Sequence, residues 1–239
     1  MSNMIKGILF DKDGTLIEFR DYWHVVISRL FAILEKKYKL KPETVLLLKE
    51  ISGYLPDGFQ KESIIQYAAT SQIIASWNEI IKREEGKTPG REKLFALFEE
   101  VALSEDIEIR SLPGVNRLLP YLKEKGYLLG IATADSRKSA VHSLGRAGLL
   151  EYFDYIGCNE DNTQAKPSPQ MAYTFCSQAG IKTEELLIVG DSVTDMEFAE
   201  NAGASFAGLL TEYNNHARIE ELTAITVVTI DEIIEKYHL

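Results

Sequence analysis

The stretch Ile8-Leu9-Phe10-Asp11-Lys12-Asp13-Gly14-Thr15-Leu16 joins an apolar run directly to two aspartates that are two residues apart. On extended backbone, residues i and i+2 point to the same side, so Asp11 and Asp13 are expected to leave a strand end facing one small volume. Gly14 then lets the chain turn and approach a ligand closely. Neighbouring carboxylates repel unless a cation or a shared proton intervenes, and hard oxygen ligands suit Mg²⁺. A solvated, aspartate-rich turn is the alternative for this stretch taken alone.

The residues that follow this strand predict a helical insertion. From Asp21 to about Ser104 the apolar residues recur at helical spacing, and no stretch predicts a strand. We therefore expect an all-helical cap domain over residues 20–109, interrupted by turn residues at Gly53–Phe59. That loop is our hypothesis for the part of the cap that reaches into the active site.

The remainder of the chain alternates short apolar runs with helices that end at glycine. This alternation is typical of a parallel sheet with helices on both faces. The core domain is expected to combine residues 1–19 with residues 110–239 in a doubly wound α/β fold. After the strand at Ile8–Phe10, the predicted strands are Leu128–Ala132, Phe153–Cys158, Leu186–Val189, Ala204–Leu209 and Ile225–Thr229.

Composition describes a globular protein and limits its partners. Hydrophobic residues make up 45% and charged residues 26% of the 239 residues. The net charge of -10 argues against non-specific nucleic-acid binding and against anionic membrane surfaces. An anionic substrate is compatible with that charge if a metal ion and local cations offset the field.

The cysteines and the hydropathy pattern predict a cytoplasmic protein. Cys158 and Cys176 are the only cysteines, and their spacing is more typical of buried thiols in a reducing compartment than of a disulfide or metal site. No apolar stretch approaches the roughly 18 residues of a membrane span. The N-terminal region also lacks the basic segment and apolar run of a secretory signal.

Reactive side chains follow three further points in the α/β region. Thr133 ends the predicted strand Leu128–Ala132, and a hydroxyl near a helix start can help to bind phosphate. Asp191 follows Leu186–Val189 with Asp195 four residues on, and Lys166 lies in a loop after the third strand. Because ligands bind at the carboxyl ends of parallel strands, these groups are expected to converge. Each also has a simpler interpretation: a helix cap for Thr133, a surface lysine, and aspartates that stabilise a helix N-terminus.

In four stretches, taken in chain order, the sequence resembles the haloacid dehalogenase-like hydrolases, and it is closest to their phosphoglycolate phosphatase-like branch. The resemblance implies a Rossmann-like core with an inserted helical cap. The stretches are Asp11-Lys12-Asp13-Gly14-Thr15, Ile131-Ala132-Thr133, Lys166-Pro167-Ser168-Pro169 and Gly190-Asp191-Ser192-Val193-Thr194-Asp195.

The resemblance also implies a two-step phosphoryl transfer. Asp11 would be the nucleophile, and Asp13 would protonate the leaving alcohol and then activate water. Thr133 and the backbone N–H of Ala134 would bind the phosphoryl oxygens, and Lys166 would neutralise the phosphate.

The resemblance further implies a Mg²⁺ site. Its ligands would be Asp11, the backbone carbonyl of Asp13, and Asp191, with Asp195 in support. Such chemistry depends mainly on positioning and charge stabilisation.

Three functional hypotheses follow. The first is a Mg²⁺-dependent phosphatase acting on a small phosphorylated metabolite, either phosphoglycolate-like or a sugar phosphate. The second is a phosphomutase of the β-phosphoglucomutase type, and the third is a non-catalytic binding protein. The sequence departs from the family at Glu18-Phe19-Arg20 and at Ala134-Asp135, where relatives often carry Asp-Ser and Asn. Both positions border the substrate, so the sequence does not name that substrate.

Overall fold

Two compact units make up the chain in the computed structural model, which describes residues 4–61, 63–159, 164–212, 214, 216–223 and 225–239. One unit combines Met1–Glu18 with Ile109–Leu239, and the other is Phe19–Glu108. The larger unit contains a parallel sheet, and the smaller one is mainly helical.

The strands that the described residues form are numbered in chain order. They are β1 (Gly7–Phe10), β2 (Tyr54–Leu55), β3 (Gly58–Phe59), β4 (Leu128–Thr133), β5 (Tyr155–Cys158), β6 (Leu186–Gly190), β7 (Ser205–Leu209) and β8 (Thr226–Val227).

The described helices are numbered in the same way. They are α1 (Phe19–Lys36), α2 (Pro42–Ile51), α3 (Ile64–Tyr67), α4 (Thr70–Glu85), α5 (Arg91–Ala102), α6 (Val115–Glu124), α7 (Arg137–Arg146), α8 (Gln170–Ala179), α9 (Val193–Ala202), α10 (His216–Leu222) and α11 (Ile233–Tyr237).

The central sheet has the order β5-β4-β1-β6-β7-β8 with every pair parallel. The predicted doubly wound α/β core is therefore confirmed. Phe10, the last residue of β1, lies opposite Ile131 of β4 and Val189 of β6. The carboxyl ends of these three strands thus meet at one edge of the sheet, and Asp11 follows at the middle of that edge.

Side chains of β1 alternate between two hydrophobic layers, as the period of a strand requires. Ile8 and Phe10 pack into the layer that also contains buried residues of α6, α7 and α11. Leu9 packs into the opposite layer, with buried residues of α8 and α9. Helices therefore cover both faces, and β1 is polar only where it ends.

Among the described residues of the smaller unit, the helices are accompanied by one hairpin, so the prediction that this unit contains no strand is wrong at Tyr54–Phe59. Strands β2 and β3 pair antiparallel around Pro56-Asp57, with Tyr54 opposite Phe59. His24 of α1 stacks on Tyr54 with ring centroids 4.7 Å apart, and its Nε2 lies 3.0 Å from the carbonyl oxygen of Leu55. Strands of two residues are too short to show an alternating hydrophobic pattern in the sequence. Their contacts with α1 stabilise the hairpin.

No helix within the described ranges has both the length and the apolar composition required to cross a membrane.

Candidate active site

A tight turn follows β1 and carries the first two aspartates. The backbone N–H of Asp11 still donates to Val189 of β6, at 2.8 Å. The chain then reverses at Gly14, whose φ is +83° and whose N–H donates to Ile17 at 2.8 Å. Leu16 donates back to the carbonyl oxygen of Lys12 at 2.9 Å. Backbone bonds therefore fix the directions in which the side chains of this turn leave the sheet.

Asp191 follows β6 and packs directly against this turn. A Cβ atom added to Gly14 would lie only 2.9 Å from Asp191 Cγ, closer than real Cβ contacts come. The Thr15 hydroxyl lies 3.4 Å from Asp191 Oδ1. Glycine is thus required at position 14 both for the turn and for the space that the Asp191 carboxylate fills.

The start of α9 holds Asp195 in a reciprocal cap. Its Oδ2 lies 2.6 Å from the hydroxyl of Ser192, the N-cap residue, and its own N–H donates to that hydroxyl at 3.2 Å. The side chain is 2% exposed. A side chain at Gly190 would overlap with Asp195, so the glycine at the end of β6 makes room for this carboxylate.

Lys166 joins two of these aspartates. Its Nζ lies 2.5 Å from Asp11 Oδ1 and 2.5 Å from Asp195 Oδ1, and its side chain is 7% exposed. The loop that carries Lys166 is tied to α9, since Asn201 Nδ2 donates to the carbonyl oxygen of Pro167 at 3.0 Å. The simpler interpretation of Lys166 as a surface lysine is therefore wrong.

Asp11, Asp191 and Asp195 form a cluster that fits a divalent cation. One carboxylate oxygen from each residue lies within 4.8 Å of the others. Carboxylate oxygens are the ligands that Mg²⁺ takes, usually with waters and substrate oxygens completing its shell. The cluster thus brings together the predicted ligands Asp11 and Asp191 with Asp195, for which the family resemblance implies only a supporting role.

The electrostatics of the cluster indicate uncompensated negative charge. Burial raises the pKa of Asp11 to about 7, and the Asp195 carboxylate adds to the rise while Lys166 opposes it. Burial, followed by the charges of Asp11 and Asp195, raises the pKa of Asp191 well above its usual range. For Lys166, burial alone would lower the pKa, but the carboxylates of Asp11 and Asp195 raise it above its ordinary value. One ammonium is therefore insufficient for three carboxylates, and a bound cation would relieve the repulsion.

Asp13 is held by a different cation. Lys12 is fully buried, and its Nζ donates to Asp13 Oδ1 at 2.6 Å. The same ammonium lies 3.2 Å from Asp135 Oδ2. That Lys12 and Asp135 hold Asp13 is not predicted from the sequence. The available signal was a lysine between two aspartates at a buried strand end, where a charge requires partners.

Thr133 and Ala134 lie at the same edge of the sheet, at the end of β4. The Thr133 side chain is buried, and its hydroxyl accepts from the backbone N–H of Asp135 at 3.2 Å. The helix that follows is capped by Ser136, whose side chain accepts from Ser139 N at 3.2 Å. The alternative role of Thr133 as the helix cap is therefore wrong.

Comparison with known proteins places these features in a family context. A family model described as "Haloacid dehalogenase-like hydrolase" matches residues 8–209. A phosphoglycolate phosphatase from Cereibacter sphaeroides is 29% identical over 218 residues, which are 90% of this chain and 89% of that protein. The pyrophosphatase PpaX from Bacillus cereus (strain AH820) is 27% identical over 216 residues, covering 90% and 88%.

A solved structure shows the same fold. CbbY from Rhodobacter sphaeroides, determined in complex with phosphate, superposes with a TM-score of 0.73 at 22% identity. The match covers 99% of this chain and 100% of that chain.

Proposed function

This chain belongs to the haloacid dehalogenase-like hydrolases, and on that premise we propose that it is a Mg²⁺-dependent phosphatase that hydrolyses a small phosphomonoester through an aspartyl phosphate. The observation that carries the proposal is the grouping of Asp11 with Lys166, Asp191 and Asp195 at the carboxyl edge of the sheet. It supplies a nucleophile, a fixed cation and a set of oxygen ligands at one place.

In the first step an oxygen of Asp11 attacks the phosphorus atom. A bond forms between that oxygen and phosphorus as the bond from phosphorus to the ester oxygen breaks. The departing alcohol takes a proton from Asp13, so it leaves as a neutral molecule. Lys166, 2.5 Å from Asp11 in the resting state, offsets the negative charge of the incoming phosphate.

In the second step water hydrolyses the aspartyl phosphate. Asp13, now a carboxylate, accepts a proton from the attacking water. The bond between Asp11 and phosphorus breaks, inorganic phosphate leaves, and the carboxylate of Asp11 is restored. A carboxylate nucleophile thus divides one difficult displacement into two easier ones.

Asp11, Asp191 and the backbone carbonyl of Asp13 would bind the divalent ion, with Asp195 beside them. When bound, Mg²⁺ supplies Lewis-acid stabilisation of phosphoryl oxygens and lowers the repulsion between an anionic nucleophile and an anionic substrate. Thr133 and the backbone N–H of Ala134 are proposed to bind the phosphoryl oxygens from the end of β4.

The helical unit, residues 20–109 of the predicted cap, is proposed to select the substrate. The net charge of -10 disfavours a nucleic-acid polymer, so the substrate we propose is a small phosphorylated metabolite. Phosphoglycolate, sugar phosphates and pyrophosphate are the first substrates to test, since relatives named for two of these activities cover most of the chain. A cytoplasmic location is part of this proposal.

The test is a phosphate-release screen over small phosphate esters and pyrophosphate, with Mg²⁺ and with EDTA. We expect release that needs Mg²⁺ and is lost in Asp11→Asn. Isomerisation of a hexose phosphate that requires a sugar bisphosphate would instead identify a phosphomutase. Absence of both activities, with the purified protein folded, would leave the non-catalytic hypothesis.

A further inference from the structure

Lys12 is a charged residue for which the proposed chemistry has no direct use. It is fully buried beside the nucleophile, in the turn that follows β1. Fully buried lysines are rare, and they are retained only when their charge is paired. Here the partners are Asp13 at 2.6 Å and Asp135 at 3.2 Å.

Two lysines contact different pairs of aspartates at this edge. Lys166 contacts Asp11 and Asp195, whereas Lys12 contacts Asp13 and Asp135. The two aspartates expected to react are therefore held by separate cations. Asp13, the proposed proton-transfer group, is thus held by Lys12 and not by the lysine that contacts Asp11.

Asp135 is itself firmly anchored. The Ser139 hydroxyl on α7 donates to Asp135 Oδ2 at 3.0 Å, and the Asp135 N–H donates to Thr133 Oγ1 at 3.2 Å. Its carbonyl oxygen accepts from Asn159 N at 3.3 Å, just beyond β5. Asp135 thus connects β4, β5 and α7, and Lys12 extends that framework to Asp13.

We propose that Lys12 is a positioning residue for Asp13, a role that rests on the proposed phosphatase function. The bridge from Asp135 through Lys12 fixes one carboxylate oxygen of Asp13 and thereby the direction in which Asp13 delivers its proton. In the first step the O–H bond of Asp13 breaks as an O–H bond forms on the leaving ester oxygen. In the second step an O–H bond of the attacking water breaks as one forms on the Asp13 carboxylate.

Leaving-group dependence distinguishes this role from a purely structural one. An alkyl ester needs protonation of its leaving oxygen, whereas an aryl ester with a good leaving group needs little. The ratio of kcat/KM for β-glycerol phosphate to that for p-nitrophenyl phosphate therefore measures proton delivery to the leaving group. A variant that is partly unfolded, or whose whole site is distorted, loses kcat/KM for both esters together, so the ratio stays the same.

The variants are Lys12→Met, Asp135→Asn, the corresponding double variant, and Ser139→Ala as a milder change should Lys12→Met fail to fold. Lys6→Met is the charge-matched control, because Lys6 lies just before β1 and its exposed side chain pairs with Glu185 at 2.6 Å. Exposed pairs of this kind contribute little.

In Lys12→Met and Asp135→Asn we expect the alkyl-to-aryl ratio to fall about tenfold or more, a part of the roughly 10²–10⁴ that general acid–base catalysis supplies. KM for the aryl ester should change little, and Lys6→Met should match the wild type. The alkyl-to-aryl ratio of the double variant should fall no further than that of Lys12→Met, because both residues act on Asp13 through the same bridge.

An unchanged ratio in every folded variant would overturn the positioning role while leaving the phosphatase intact. A wild-type protein that hydrolyses neither ester would overturn the phosphatase proposal and, with it, this role. The two failures are therefore told apart by the wild-type measurement.

Discussion

Gly14 and Asp191 are in direct contact across the gap between the first turn and the end of β6, with no room for a side chain on the glycine. The contact joins the loop of the proposed nucleophile to a proposed metal ligand 177 residues further along the chain. Its consequence is that the shape of the turn and the position of the carboxylate depend on each other.

The Gly14→Ala substitution should therefore lower the free energy of unfolding by more than backbone strain alone would. A left-handed φ for a non-glycine residue costs about 1 kcal/mol, and the added methyl group would also displace Asp191. Gly126→Ala is a matched control, since Gly126 has a φ of +85° and no atom within 4 Å of an added Cβ. We expect a larger loss of thermal stability in Gly14→Ala than in Gly126→Ala, and weaker Mg²⁺ activation only in Gly14→Ala. Equal Mg²⁺ dependence in the two proteins would contradict this assignment.

Substitution of Asp191 should separate metal binding from stability. Asp191→Asn should weaken Mg²⁺ binding at least about tenfold, measured as the Mg²⁺ concentration for half-maximal activity. In the absence of metal the same variant should be more stable at neutral pH, because burial and neighbouring carboxylates raise the pKa of Asp191 and so disfavour its charge. For a chain of this length, about 1 kcal/mol corresponds to a Tm change of about 2–4 °C. A variant that is destabilised and keeps wild-type Mg²⁺ dependence would show that the site is misplaced.

Stabilisation by Mg²⁺ should increase with pH. The pKa of Asp11 is raised to about 7 from 3.8 in the unfolded chain, so the folded protein binds the extra proton between these values. The contribution of Asp11 to the stability of the metal-free protein is therefore lost as the pH rises from about 4 to 7. Below pH 7 a metal ion must also displace the proton that Asp11 carries. The Tm gain on adding Mg²⁺ should be larger at pH 8 than at pH 6 in differential scanning calorimetry. A gain independent of pH would argue against Asp11 as a ligand.

Substitutions of the two aspartates in the first turn should impair different steps of the reaction. Asp11→Asn should abolish turnover, because a neutral amide is a poor nucleophile. Asp13→Asn should slow hydrolysis of an alkyl ester by about 10²–10⁴ while leaving Asp11 able to attack an aryl ester.

The distinguishing measurement is intact-protein mass spectrometry after mixing with p-nitrophenyl phosphate. Asp13→Asn should accumulate a covalent phosphate adduct, because water lacks its base, and Asp11→Asn should show none. The reverse result would mean that the roles are exchanged.

Local patterns in the sequence were enough to predict the core. The apolar runs at Ile8–Phe10, Leu128–Ala132 and Leu186–Val189 are continuous because these strands are covered on both faces, and their polar continuations therefore had to lie at one edge. That reasoning located Asp11, Thr133 and Asp191 together. The short helices α10 and α11 and the hairpin at Tyr54–Phe59 were not predicted, since elements of this length carry too little periodicity.

Only the tertiary structure decided which charge meets which. The order of residues places Lys12 between Asp11 and Asp13, yet Lys12 pairs with Asp13 and with Asp135, while Lys166 reaches Asp11 and Asp195. Spacing along the chain specifies where a side chain leaves the backbone. The partners of a buried charge depend on which strands and helices come together in space. A buried charge needs an opposite charge beside it, and the fold determines which residue provides one.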